Sequence, residues 1–489
     1  MIKRLFKDTI IYSFGTILTR GIQIIMLPIY TRLLTPADYG VYDLLNILTG
    51  LVNVTVALEI TQGFVRHYSD AATEEERIAY SSTSFWFVLF MYCIFLTSTL
   101  LFSFPLSSLV LGKSYSPQIF VASMISIFGS GLFVFLQNQL RFYLKSKSFA
   151  LVSIIFTLVS YSSTVVFLSV FKTGVVGIFW GLIAGYTVGN FLSWYMAKNH
   201  YRLVFNWNKC KEMLRFSIPL VPASIGTMIF LYIDRIAINS LMSKDELGLF
   251  GVAYRFSAIV TLVLSGFQIA LGPLIYLNYK QSSTPGEIAK IFRYYLTMVL
   301  CFVLALSIFS IEALKIFTTP AYFRAEKVIP IISFATLFIS MQIFAPGLAL
   351  AKRTKTIAVI NIVAGLMNSL LVYLLIPYLG IMGASFGTLL TAIMLFAVNM
   401  YFSQKLFYIP HNWRKILSMF AFCMVFILII FIFGNFSTFP LFTKNVIKAI
   451  LLFISASVII RVMIGFEEFN IIIRQFIDLA KLKIKHILS

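Results

Sequence analysis

Polar positions along this chain are sparse and recur on a regular beat. Apolar runs of about 20 residues, enough to cross a bilayer core of roughly 30 Å as a helix, follow one another from end to end. Short charged or Gly/Pro-bearing segments separate them. Read one run per span, the pattern predicts fourteen transmembrane helices at 10–30, 41–63, 80–102, 118–138, 149–171, 175–197, 217–241, 248–276, 292–314, 328–350, 357–377, 383–404, 415–434 and 445–464. The predicted fold class is all-α integral membrane. The opening MIKRLFKDTIIYSFGTILTRGI begins like a signal peptide, but its apolar stretch contains Arg20 and thirteen more spans follow, so it reads as the first of them.

The pattern repeats. LTPADYGVYD at 34 lies 208 positions before MSKDELGLFG at 242, and KSKSFALVSII at 145 lies 208 before RTKTIAVINIV at 353. GVVGIFWG at 174 and GIMGASFG at 380 share the pattern GxxGxxxG at an offset of 206. A near-constant offset across three motifs predicts an internal duplication: an N-lobe at 1–206 (spans 1–6) and a C-lobe at 207–410 (spans 7–12). Spans 13 and 14 at 411–466 and an amphipathic tail at 467–489 on the inner membrane surface complete the chain. Two halves in the same orientation place a substrate site between them near the midplane. The GxxGxxxG segments read as helix packing, since glycine lets helices approach closely in lipid. In the outer loop RLLTPADYG, Pro36 and Gly40 read as turn makers.

Composition agrees: 60% of the 489 residues are hydrophobic, 12% are charged, and the mean hydropathy is +0.92. The net charge of +21 would suit a nucleic-acid binder in a soluble protein, but the basic residues are distributed otherwise. Of the 39, twenty-six fall in the two termini and even-numbered loops, nine on the other face, and four (Arg20, Arg235, Arg255, Arg461) in or at the edge of spans. The positive-inside rule puts both termini in the cytoplasm, and no nucleic-acid partner is expected. The four cysteines are isolated and no metal-ligand spacing occurs. No metal and no catalytic residue is predicted.

Charge inside the spans marks the candidate site. Asp234, Arg235 and Arg255 lie in one apolar hairpin, where each costs about 2.5–3.5 kcal/mol on insertion scales. With the turn taken at 243–247, both arginines fall roughly 12 Å below it, at one level. Asp234, poorly placed to pair with its own neighbour, is then within reach of Arg255. The hairpin reads either as a structural ion pair locking two helices or as a cationic anchor for an anionic substrate. Arg20 lies too deep to snorkel and forms a second cationic level, as a transport residue or a buried salt bridge. Asn46, Thr49, Gly50 and Asn53 make a polar stripe on span two, as Asn361, Gly365 and Asn368 do on span eleven. Such stripes either bond neighbouring helices or line a wet cavity. Glu59 is placed to bind a coupling proton or to neutralise Arg66, and Asp234 is the second candidate for ion coupling. Apart from H⁺ or Na⁺, no cofactor is expected.

Over its whole length the chain resembles the bacterial exporters of polysaccharides, the O-antigen and lipid-linked oligosaccharide flippases related to multidrug and toxic compound extruders. The segments that carry the resemblance are LPIYTRLLTPADYGVYDL, YIDRIAINSLMSKDELGLFGVAYRFS and GPLIY. The resemblance implies a two-lobed, fourteen-helix fold in the inner membrane and a cationic cavity holding the pyrophosphate and sugars of an undecaprenyl-linked unit. Arg20, Asp234, Arg235 and Arg255 are the cavity charges by position. It implies as partners the lipid-linked oligosaccharide, membrane lipids, a polysaccharide polymerase and a chain-length regulator. A drug exporter of the same fold is the alternative, though such exporters usually show twelve spans and acidic cavities. A polymerase or glycosyltransferase is weaker, because no outer loop exceeds about 15 residues and no DxD motif occurs.

Overall fold

Short polar caps between the apolar runs set where the helices of this chain begin. The structure, a computed structural model, describes residues 21–22, 24–112, 115–278, 281–351, 353–433 and 441–465, with backbone alone at 262–274, 276–278, 354, 428–433 and 441–442. Arg20, Lys113 and the tail 467–489 lie outside the described residues.

In chain order the helices are α1 (Ile24–Leu33), α2 (Pro36–Thr55), α3 (Ile60–Asp70), α4 (Glu74–Leu101), α5 (Ser103–Val110), α6 (Pro117–Phe142) and α7 (Ser146–Ser169). Next come α8 (Val175–Ala197), α9 (Trp207–Ser217), α10 (Val221–Leu241), α11 (Lys244–Asn278), α12 (Thr284–Ile308) and α13 (Ser310–Phe317). The last are α14 (Val328–Ser340), α15 (Gly347–Leu350), α16 (Thr354–Leu379), α17 (Ile381–Leu406), α18 (Trp413–Phe433) and α19 (Leu441–Met463). Among the described residues there is no strand, and eleven stretches are long and apolar enough to cross a membrane. α1 is a shorter apolar helix, and α11 and α18 fall on the predicted eighth and thirteenth spans. The protein is an all-helical, multi-pass membrane protein; eleven of the fourteen predicted spans meet the length and hydropathy of a crossing among the described residues, and the exact count of fourteen is not confirmed.

Segments 208 positions apart carry like caps. Thr35 caps α2 in a full capping box with Asp38, and 208 positions on, the Glu246 N–H donates to the Ser243 hydroxyl at the start of α11 (3.3 Å). Both are the S/T-x-x-E/D signature of a helix start. Gly174 and Gly380, the first glycines of the two GxxGxxxG segments, both open helices at φ +60°, a conformation that side-chain-bearing residues rarely adopt. Their companions are packing positions: a Cβ on Gly181 would lie 2.1 Å from the Thr164 hydroxyl, and one on Gly383 would lie 2.3 Å from the Leu375 carbonyl.

Pro36 and Gly40 differ from the prediction. Pro36 is the first residue of α2, where its missing N–H has no intrahelical partner to lose. Gly40 lies inside the helix. A Cβ there would come within 2.0 Å of the Lys244 carbonyl oxygen, and a Cβ on Gly248 within 1.9 Å of the Pro36 carbonyl oxygen. The two glycines, 208 positions apart, therefore cross each other near the N-terminal ends of α2 and α11, a reciprocal contact that only glycine permits on both sides.

Span two is broken. Leu58 and Glu59 both take the left-handed conformation (φ 48° and 53°) between α2 and α3, at a strain of about 1–3 kcal/mol each. The C-terminal piece, α3, is held against α9, where a Cβ on Gly63 would strike the Met213 carbonyl at 2.3 Å. The chain divides into two compact units. One comprises 1–256, 315–328 and 358–391 and contains the charged cluster; the other comprises 257–314, 329–357 and 392–489. The core of the second is aromatic around Phe292, Tyr295 and Phe344, and it buries an ion pair between Lys448 and Glu312 at 2.8 Å.

Candidate functional site

The site is built where α2, α10 and α11 of the first unit meet. Its anionic centre is Asp43, a residue the sequence reading passed over. It sits one turn beyond the Gly40 crossing and lies against Gly251, whose added Cβ would be 3.2 Å from the Asp43 carboxylate. Gly251 lies 208 positions after Asp43, the offset that separates the two matched segments. A side chain at 251 would therefore occupy the space that the carboxylate needs.

Arg235 on α10 meets that carboxylate, with Nε 2.9 Å from Asp43 Oδ2 and side-chain exposures of 6% and 12%. Neither atom makes an aligned hydrogen bond, so the contact is ionic rather than directed. The guanidinium also lies over the Tyr254 ring, 4.1 Å from its centroid, and 5.4 Å from that of Tyr232. An arginine in this position is held on one side by a carboxylate and on the others by aromatic faces.

Arg255 on α11 is differently placed. Its guanidinium lies 5.5 Å from the Tyr39 ring centroid and 5.4 Å from that of Tyr42. Asp43 is the carboxylate whose field reaches it, yet among the described residues no carboxylate forms an ion pair with it. Tyr39 and Tyr42 stand edge to face at 5.9 Å, and Tyr30 joins Tyr42 at 5.7 Å. The Tyr30 and Tyr39 hydroxyls are buried with no hydrogen-bond partner among the described residues. Unpaired buried phenols are costly, and here they neighbour a cation without an ion-pair partner.

The predicted pairing of Asp234 with Arg255 is corrected. Asp234 is 2% exposed, and its Oδ1 accepts the backbone N–H of Arg235 at 2.9 Å. The depth argument failed at the turn. Ser243 caps α11, so the helix begins at Lys244 and not after 247. Counted from the helix ends, Arg235 is roughly 9 Å and Arg255 roughly 16 Å below the turn. They are not level.

The other candidates separate. Asn53 bonds its neighbours, donating to the Ser130 hydroxyl on α6 (3.0 Å) and accepting from the Tyr92 hydroxyl on α4 (3.1 Å), which is the helix-bonding reading. Asn46 is half-buried, and no hydrogen bond reaches its side chain among the described residues. Thr49 turns back onto the Leu45 carbonyl, and Gly50 faces Tyr232 at ordinary contact distance. Asn368 accepts from the Thr391 hydroxyl at 3.4 Å, whereas Asn361 is exposed. Glu59 is half-buried at the break in span two, and Arg66 pairs with Asp70 instead, at 3.5 Å. Arg20 is outside the described residues. No cluster of His, Cys, Asp or Glu that could hold a metal occurs among them.

A signal for Asp43 was available: it is an acidic residue within a run that must cross a membrane. Formally, Asp43 and Asp234 balance Arg235 and Arg255. The arrangement is therefore one closed ion pair beside one cation that faces phenol rings.

Residues 29–271 match the family described as polysaccharide biosynthesis protein. An uncharacterized membrane protein of Methanocaldococcus jannaschii is 24% identical over 433 residues, covering 81% of this chain and 97% of that protein. A second from the same organism is 22% identical over 306 residues, and the match spans only about half of its length, 54%. Among solved structures, the lipid II flippase MurJ in an inward closed conformation superposes with a TM-score of 0.70 at 14% identity, covering 92% of this chain and 99% of that one. A multidrug resistance MATE family transporter in an inward-facing conformation gives 0.62 at 13%, covering 80% and 97%. These likenesses show the fold.

Proposed function

We propose, for a chain that belongs through residues 29–271 to the polysaccharide biosynthesis protein family, that it is a flippase. It carries an undecaprenyl-pyrophosphate-linked oligosaccharide from the cytoplasmic to the outer leaflet of the inner membrane, for O-antigen, capsule or exopolysaccharide synthesis. The lobes at 1–206 and 207–410 alternate access about the duplicated plan, both termini are cytoplasmic, and the protein is a transporter and not an enzyme. Arg255 carries this reading. It is an arginine within a transmembrane helix, stacked on Tyr39 and Tyr42, with its nearest influencing carboxylate, Asp43, committed to Arg235. Guanidinium suits a pyrophosphate because it presents paired donors and keeps its charge, and phenol rings suit sugar faces. Asp43 holds Arg235, so that one cation is structural and the other is left for substrate. A lipid-linked oligosaccharide accumulating in the inner leaflet of a strain lacking the gene is the expected result. Unchanged lipid-linked glycans in that strain would overturn the reading.

A multidrug exporter of the same fold is the second reading. The buried carboxylates Asp43 and Asp234 and the likeness to MATE transporters favour it. Efflux of a lipophilic cation by proteoliposomes, lost in Asp43→Asn, would select it over the flippase.

A further inference from the structure

At the end of α17, in the second unit, the surface is not convex as a lipid-facing helix normally is. Ala397, Met400, Tyr401 and Lys405 line one wall of a groove of about 450 Å³, and Trp413 at the start of α18 lines the other. The volume is within the range of small-ligand sites. From Lys405 to Ala397 is two helical turns, roughly 12 Å along the axis. Over that length the lining changes from cationic through aromatic to purely apolar.

The rim is preorganised. The Lys405 ammonium rests on the Tyr401 ring at 4.2 Å. Gln404 clamps the connecting loop, accepting the Ile409 N–H at 2.8 Å and donating to the Ile409 carbonyl at 3.1 Å. Arg414 and Lys415 follow Trp413 directly and are exposed. One basic residue, Lys405, thus stands at the end of an apolar groove whose walls carry Tyr401 and Trp413, amphipathic rings of the kind that settle at a membrane interface.

We propose that this groove binds one anionic phospholipid of the inner leaflet, its phosphate at Lys405 and one acyl chain along Met400 and Ala397. Charge complementarity selects the occupant: Lys405 attracts an anionic headgroup, and the apolar lining beyond it favours an acyl chain, which a free phosphate or a soluble anion lacks. The inner-leaflet assignment rests on the topology proposed above. The binding itself does not, because the groove is formed by α17 and α18 of one unit whichever way the chain is oriented.

The test is native mass spectrometry of the detergent-solubilised full chain, titrated with phosphatidylglycerol or phosphatidylcholine. A bound phosphatidylglycerol preferred about fivefold or more over phosphatidylcholine is expected, as one lysine near a headgroup supplies. Lys405→Glu should abolish the preference, and Ala397→Trp, which fills the slot without touching charge, should abolish both lipids. Lys147→Glu, the same charge change at an exposed position that does not line the groove, should leave binding unchanged. Equal retention of the two lipids, or a preference that survives Lys405→Glu, would overturn the proposal. If flippase activity fails to appear while this preference holds, the groove stands and the transport reading falls.

Discussion

Neutralising Asp43 should be far more damaging than its single methylene and carboxylate suggest. The Asp43 carboxylate and Arg235 guanidinium are 2.9 Å apart, and their side chains are 12% and 6% exposed. Asp43→Asn leaves the cation in place without its ion-pair partner, Asp234 meeting only its backbone N–H. Breaking one side of such a pair costs about 3–5 kcal/mol, whereas replacing both by apolar residues of similar volume is often neutral. The double variant Asp43→Leu with Arg235→Met should thus be more stable than either single change. Unfolding in detergent at fixed pH, monitored for wild type, both single variants and the double, yields the coupling energy, expected at about 2 kcal/mol or more. A parallel cycle on Asp234→Asn and Arg255→Gln should be additive, because the structure does not pair them. Additivity within about 0.5 kcal/mol in the Asp43 cycle, or strong coupling in the Asp234 cycle, would refute the assignment of partners.

Further outcomes follow from other positions. Gly40→Leu or Gly248→Leu drives a side chain into backbone at about 2 Å and should lose about 3 kcal/mol or the fold itself, while Gly50→Ala, whose Cβ meets Tyr232 at 3.5 Å, should be silent; thermal unfolding reads both. His411, in the loop before α18, has both ring nitrogens buried without partners among the described residues, between Phe292 and Trp413. Burial holds its pKa down to about 4 from 6.5. The neutral ring is favoured in the folded chain, so its contribution is full above pH 6.5 and is lost as pH falls from 6.5 toward 4, by about 3 kcal/mol at the end of that window. His411→Phe should flatten the stability profile across that interval. In a cysteine-free background, Arg324→Cys should react with an impermeant thiol reagent from outside and Lys147→Cys only after permeabilisation, and the reverse pattern would invert the proposed topology.

The fold was legible because a membrane leaves the backbone few choices. Apolar runs became helices, and the matched segments carry like caps at Thr35 and Ser243 and like glycines at 174 and 380. The finer errors have physical sources. Hydropathy does not register a capping box, so α11 was started late and the arginines were misplaced in depth. Nor does it register a left-handed break such as Leu58–Glu59, which depends on what α3 packs against. Asp43 was overlooked although its place within an apolar run marked it; its partner is 192 positions away in sequence, and nothing local says which charge it meets. The glycine at 251 that makes room for it looked like any other small residue in a span. Arg235 and Arg255 were found from charge alone, and only the geometry separated a paired cation from one resting on tyrosines.

The most direct test of that separation is transport by the reconstituted protein. Proteoliposomes holding equal amounts of folded wild type, Arg255→Ala, Arg255→Lys and the double variant Asp43→Leu with Arg235→Met would be loaded with a fluorescent undecaprenyl-pyrophosphate-linked oligosaccharide. The fraction reaching the opposite leaflet would then be followed. Loss of flipping in Arg255→Ala is expected, with partial recovery in Arg255→Lys, whose ammonium lacks the paired donors, and substantial activity in the double variant. Wild-type flipping by Arg255→Ala, with the double variant inactive, would contradict the account by making the Asp43–Arg235 pair, and not Arg255, the group that meets the substrate.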